Sequence, residues 1–186
     1  MEAALSIALG LGLAAACGFR VFVPLLVISA ASHSGHLSVS GSFDWIASTP
    51  VLITLIAATV LEIAAYYIPW VDHLLDIVAS PAAVVAGVVA SASVITGMDP
   101  YLKWTMAVIA GGGLAGAVQV VTTGTRGVSM LTTAGFGNPI VSTAEAGGSL
   151  VLSLLAIVAP LVAIAVVILF LAFVTSRLAG RRRRTA

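Results

Sequence analysis

Four charged side chains lie inside long apolar stretches of this chain: Arg20, Glu62, Arg126 and Glu145. An arginine at bilayer depth costs about 2.5–3.5 kcal/mol on insertion scales, so it is kept with a partner or a task. Both arginines occur in the same unit, Gly18-Phe19-Arg20 and Gly124-Thr125-Arg126, one in each half of the chain. In each unit a glycine supplies backbone freedom two residues before the charge. These types suit a polar path through apolar surroundings. Arg20 and Arg126 would attract an anionic or carbonyl group, Glu62 would carry a proton or cation, and Glu145 would gate or act as counter-ion. The competing reading is architectural: two cations and two anions pair and lock the halves together. Glu145 also fits the first turn of a helix, where the dipole favours a carboxylate without any function.

A second cluster reads Asp72-His73-x-x-Asp76. On a helix Asp72 and Asp76 share one face, spaced to form a vestibule or to share a cation, while His73 points elsewhere. His33 and His36 stand among Ser and Gly in a polar loop, and two imidazoles without further ligands are a weak metal signal. The three histidines are also the only candidate iron ligands if the chain holds haem or another tetrapyrrole. Cys17 is the single cysteine, so no intrachain disulfide can form.

These residues need elements that hold them in lipid. Of 186 residues 60% are hydrophobic and 8% charged, against about 25% charged in soluble domains. Mean hydropathy is +1.17. The reading is all-α: one polytopic membrane helix bundle over residues 1–186, with about five spans. The spans are 3–31, 49–68, 81–96, 104–134 and 142–176, with an amphipathic connector over 69–76 and turns over 97–103 and 135–139. Leu13-Ala14-Ala15-Ala16-Cys17 faintly resembles a lipoprotein cleavage site, but no Lys or Arg precedes it, so the first segment is expected to remain a helix.

Spans one, four and five exceed the roughly 20 residues a straight crossing needs. Each contains breakers: Gly18 and Pro24, Gly124 and Gly127, and Pro160. Broken helices are therefore expected at both Gly-x-Arg units, which lipid tolerates only around a protein-buried or watery cavity. The paired interruptions also suggest an inverted repeat, with half-repeats 1–97 and 98–176. The basic tail 177–186 carries five of the eight basic residues and is expected in the cytoplasm, with the 97–103 turn on the same side and the Asp72/Asp76 connector opposite. Gly112-x-x-x-Gly116 suits close helix approach, by packing or homo-oligomerisation. Trp45, Trp70 and Trp104 sit where interfacial anchors do, and Arg181 to Arg184 can grip anionic lipid rather than nucleic acid.

The chain also resembles a bacterial integral-membrane family, the domain of unknown function 4126. The likeness lies in Gly18-Phe19-Arg20 with Pro24-Leu25, then Leu61-Glu62, then Ile68-Pro69-x-x-Asp72-His73-x-x-Asp76, Pro81 and Gly87. It continues through Gly124-Thr125-Arg126 and Gly137-Asn138-Pro139-x-x-Ser142-x-x-Glu145. Members often carry a second acidic residue after that last glutamate, where this chain has Ala146. The resemblance implies a membrane fold and brings no assigned chemistry.

No phosphate loop, nucleophile triad or zinc-protease motif is present, which argues against an ordinary soluble-type enzyme. The leading expectation is a small transporter or channel in the plasma membrane for a small polar, anionic or lipid-headgroup solute. The alternatives are a haem- or tetrapyrrole-binding membrane protein or enzyme, and a structural or accessory subunit. Membrane lipids are the remaining expected partners.

Overall fold

The computed structural model describes residues 2–68, 71–133 and 136–182, with the side chains of 72, 73 and 178–182 excluded. Trp70, the Asp72 and His73 side chains and the arginine run 181–184 therefore lie outside the described parts. The described residues are helical and contain no strand. The helices are α1 (Glu2–Cys17), α2 (Phe22–His33), α3 (Thr49–Ala65), α4 (Val71–Val94), α5 (Pro100–Met106), α6 (Gly113–Thr133), α7 (Asn138–Val158) and α8 (Pro160–Arg182). A 3₁₀ segment, Gly41–Ala47, precedes α3, and a π-helical turn, Ala107–Gly112, joins α5 to α6.

Four stretches are long and apolar enough to cross a membrane: Leu74–Val94, Pro100–Thr133, Asn138–Val158 and Pro160–Arg177. Gly41–Ala47 and α3, bent by 64° where they meet, make a fifth when taken together. Large apolar side chains such as Ile109, Val120, Leu131, Ile140 and Leu169 face outward on these helices. A bundle solvated by hydrocarbon rather than water presents such a surface without penalty.

The first apolar stretch is two helices, α1 and α2, folded into a V. Ala3 of α1 lies beside Gly97, and the Ser6 hydroxyl donates to the Thr96 carbonyl at 3.2 Å. The chain leaving α2 returns to the same end of the bundle, where the Ser40 N–H donates to the Ser93 carbonyl at 2.7 Å and Lys103 Nζ donates to Ser40 at 2.7 Å. The apex, residues 18–21, points towards the opposite end. Arg126 stands seven residues before the end of α6, so at 1.5 Å per residue the apex region stops about 10 Å short of that end.

The apex forms because α1 closes with tight turns. Gly18 and Phe19 donate their N–H groups to the Ala15 and Ala16 carbonyls, both at 3.1 Å. Gly18 is needed for space rather than for a left-handed backbone, since only Gly35 and Gly97 have positive φ among the described glycines. A Cβ on Gly18 would come 2.4 Å from the Ala115 carbonyl oxygen and 2.6 Å from Val118 Cβ. Pro24 does not break the helix. It falls in the first turn of α2, where its missing N–H has no partner to lose.

Three expectations are corrected. The Gly124-x-Arg126 unit does not interrupt its helix: α6 runs unbroken through it, and a Cβ at Gly124 would meet nothing within 4 Å. The last apolar stretch is two helices, because Ala159 (φ −143°, ψ 73°) leaves the helical region and Pro160 then opens α8. Gly148 and Phe170 line the same cavity, so α7 and α8 fold back on each other. Consequently α8 returns towards the end that carries the α3–α4 connector, and Lys103 lies at the opposite end, the reverse of the sidedness read from the sequence. Finally, α4 begins at Val71 and runs through Pro81, so the Asp72–Asp76 connector forms the first turns of a spanning helix.

The small-residue positions are used within the chain. A Cβ at Gly111 would meet Ser91 Oγ at 2.3 Å, one at Gly112 would meet Val88 at 2.9 Å, and one at Gly116 would meet Val84 at 3.2 Å. The glycine stripe thus seats the π-helical turn and α6 against α4, the close approach such stripes permit. Ser91 donates to the Gly10 carbonyl at 3.1 Å and Ser149 to the Ala16 carbonyl at 2.9 Å, tying α4 and α7 to α1.

Candidate functional site

The four intramembrane charges of the sequence, Arg20, Glu62, Arg126 and Glu145, are the charged residues found buried among the described side chains. Arg20, on the apex of the V, is 1% exposed. Its Nη2 donates to the Ser142 hydroxyl at 2.5 Å and to the Ser142 carbonyl at 3.0 Å, and stands 3.3 Å from Glu145 Oε2. Arg126 on α6 reaches the same carboxylate through Nη2 at 3.0 Å and Nε at 3.2 Å. Arg126 Nη1 also pairs with Asp76 of α4. One carboxylate therefore bridges two guanidinium groups, and a second closes the row.

Tyr66, just beyond α3, completes the cluster. Its ring lies 3.8 Å from the Arg20 guanidinium carbon and 4.3 Å from that of Arg126, so both cations face the ring. Its hydroxyl donates to Asp76 Oδ1 at 3.3 Å. Cation–π contacts are worth most where water is excluded, as here. Arg20 Nε and Nη1 are buried without a hydrogen-bond partner, a costly state for an ionised donor.

Glu62 serves a different group. Its Oε1 accepts the Val21 N–H at 2.8 Å and its Oε2 the Phe22 N–H at 3.1 Å. These are free donors at the start of α2, so the carboxylate caps a helix that begins inside the bundle. The broken apex needs such a cap, since no water replaces it in hydrocarbon.

A cavity of about 520 Å³ adjoins the cluster between α4, α6 and the start of α7. Asp76, Ser80, Thr123, Arg126 and Asn138 give it polar walls, while Ile77, Met130 and Leu131 give it apolar ones. A second cavity of about 420 Å³ lies between α2, α3 and α4 and includes Glu62 and Tyr66 in its wall. Asp76 and Arg126 thus stand in the wall of the first cavity and Tyr66 in that of the second.

Asp76, read from sequence as part of an outer vestibule, points inward to Arg126. The Asp72 side chain, and with it the shared-cation pairing, lies outside the described residues. His33 and His36 stand at the other end of the bundle. His33 Nδ1 is 2.8 Å from the Ala47 carbonyl and His36 Nδ1 is 3.0 Å from the Ser34 hydroxyl. The His73 side chain lies outside the described residues. Among the described residues no three His, Cys, Asp or Glu side chains gather to hold a metal ion.

Sequence reasoning missed Tyr66 and Ser142. The signal available for Ser142 was its place three residues before Glu145, one helical turn away. Tyr66 gave none, because an aromatic near the end of a span reads as an interfacial anchor.

An all-helical, multi-pass bundle with a buried charge cluster defines the class. The chain belongs to the family described as domain of unknown function (DUF4126), whose model matches residues 7–179. No curated protein and no solved structure matches it.

Proposed function

We propose that this protein is a small transporter or channel, in the plasma membrane, that passes a small polar solute through the Arg20–Glu145–Arg126–Asp76 cluster. One observation carries the reading. A helix is broken inside the bundle at the point where two buried arginines meet two carboxylates, and Arg126 and Asp76 of that group line a cavity. Interrupted helices at membrane depth characterise solute sites in transporters, where helix ends and freed polar groups replace hydration. The arginine tail faces the cytoplasm in this proposal, because lysine and arginine set orientation and the tail holds most of them. The end bearing Asp76 is then cytoplasmic and the Lys103 end is external.

The architectural reading draws on the mutual neutralisation of the four charges, since buried pairs can serve only to join helices. Reconstituted liposomes distinguish the two. Flux of protons, chloride and inorganic phosphate is compared between the native chain, Arg20→Ala and Arg126→Ala, with folded yield measured on the same preparations. Transport predicts that flux falls much further than yield. Equal loss of both identifies an architectural cluster. The haem alternative gains no support from His33 and His36, and a Soret band in the purified protein would reinstate it.

A further inference from the structure

We propose that the cavity between α2, α3 and α4 binds a lipid alcohol, an amphiphile whose head is a neutral hydroxyl group, with Glu62 as the acceptor for that hydroxyl. The site lies apart from the cluster through which solute passage is proposed and uses none of its ion pairs. Its volume, about 420 Å³, falls in the range of about 300–1,000 Å³ typical of small-molecule sites. Leu61 and Val78 line it and are 69% and 65% exposed on apolar helices, so the cavity opens towards acyl chains rather than water. Among its described lining side chains Glu62 and Tyr66 are the polar ones. A long apolar body with a small polar head fits such walls.

The head follows from which hydrogen-bonding positions remain open. The Val21 and Phe22 N–H groups are taken by Glu62 at 2.8 and 3.1 Å, and the Tyr66 hydroxyl donates to Asp76 at 3.3 Å. These donors are engaged, so a carbonyl, ether or phosphate head would find no free partner among them. Acceptor capacity is left over. A carboxylate has about four lone-pair positions, and each Glu62 oxygen accepts one backbone N–H. The head is therefore a donor. A cationic donor is disfavoured on two counts. The Glu62 charge already answers the N-terminus of α2. Arg20, next to Val21 in the chain, and Arg126 both act electrostatically on Glu62 and would repel a cation beside it. A neutral hydroxyl meets no such repulsion, and its bond to an ionised acceptor is the stronger kind. The hydroxyl adds to the two backbone bonds rather than displacing them, so α2 keeps its cap when the site fills.

Photolabelling in vesicles tests the site directly. The chain is reconstituted in phosphatidylcholine with a hexadecanol that carries a diazirine beside its head. Its methyl ether and the matching primary ammonium are run in parallel, and peptide mass spectrometry scores insertion into segments 58–66 and 75–82. The alcohol should label these segments about tenfold more than the ether, the worth of one hydrogen bond to an ionised acceptor. Unlabelled hexadecanol or dioctanoylglycerol should displace it, the more effective of the two marking a single-chain or a glyceride source. Ala58→Leu suits a helix, leaves every polar group in place and puts a larger side chain into the cavity, so labelling should fall to the level of the ether. Equal labelling by alcohol and ether in the native chain would remove Glu62 from recognition and overturn the inference. A preference for the ammonium would overturn the neutral head in favour of a cation site. Labelling that neither competitor displaces, or that survives Ala58→Leu, would be ordinary lipid contact and would overturn the site itself.

Discussion

Replacing each glycine of the two Gly-x-Arg units by alanine should have opposite effects. At Gly18 the new Cβ would lie 2.4 Å from the Ala115 carbonyl oxygen, 2.6 Å from Val118 Cβ and 2.9 Å from Val118 Cγ1. The nearest obstacle is α6 backbone, which cannot swing aside like the tip of a side chain, so α1 and α6 must separate. Overpacking of this kind costs about 1–3 kcal/mol. At Gly124 the Cβ meets nothing within 4 Å, in the interior of a continuous helix. Alanine there should stabilise by about 0.5–1 kcal/mol through the smaller entropy it loses on folding. The two variants should therefore differ by about 1.5–4 kcal/mol. Cys17 is the only cysteine and is fully buried, so a thiol-reactive dye reports unfolding during a thermal ramp in detergent. Circular dichroism on the same samples guards against a purely local effect beside Cys17. Gly18→Ala matching or exceeding the stability of Gly124→Ala would refute the close approach of α1 to α6.

Glu62→Gln should cost about 1 kcal/mol and Glu62→Leu about 2–4, because leucine leaves both the Val21 and Phe22 N–H groups without an acceptor; equal unfolding temperatures for the two variants would argue against capping. Tyr66→Phe keeps the ring that faces both arginines and should stay within about 1 kcal/mol of the native chain. Tyr66→Leu should lose about 2 kcal/mol or more, and denaturant unfolding reads the difference. Cysteines introduced at Tyr101 and Phe136, 78% and 88% exposed, should react with a membrane-impermeant maleimide from opposite faces of sealed vesicles. Labelling of both from one face would contradict the arrangement of the bundle ends.

The charged cluster was legible because charge is rare in this composition. Arg20, Glu62, Arg126 and Glu145 stand out against apolar neighbours, and each proves buried. The partners were less legible. Asp76 looked like interfacial polarity because it belongs to a short run with Asp72 and His73, and only the extension of α4 back to Val71 turns it inward. The Gly-x-Arg units look alike in one dimension, yet one breaks its helix and the other does not. At the break the free N–H groups of Val21 and Phe22 find Glu62, about forty residues away along the chain. Around Gly124 the backbone needs no outside acceptor, because the helix supplies one at every step. Whether a break survives in hydrocarbon depends on such distant partners, which local propensity does not encode.

The role of Glu62 changes what the remaining charges can do. Were it free beside the arginines, the cluster would carry three carboxylates against two cations and would favour a cationic solute. Bound to the α2 N-terminus it answers the positive end of a helix instead. Among the described side chains the four remaining groups balance, and Glu145 stands beside both guanidiniums. On the proposed transport reading, a balanced set offers a charged solute no unanswered partner, so a solute entering it would have to replace a group already there.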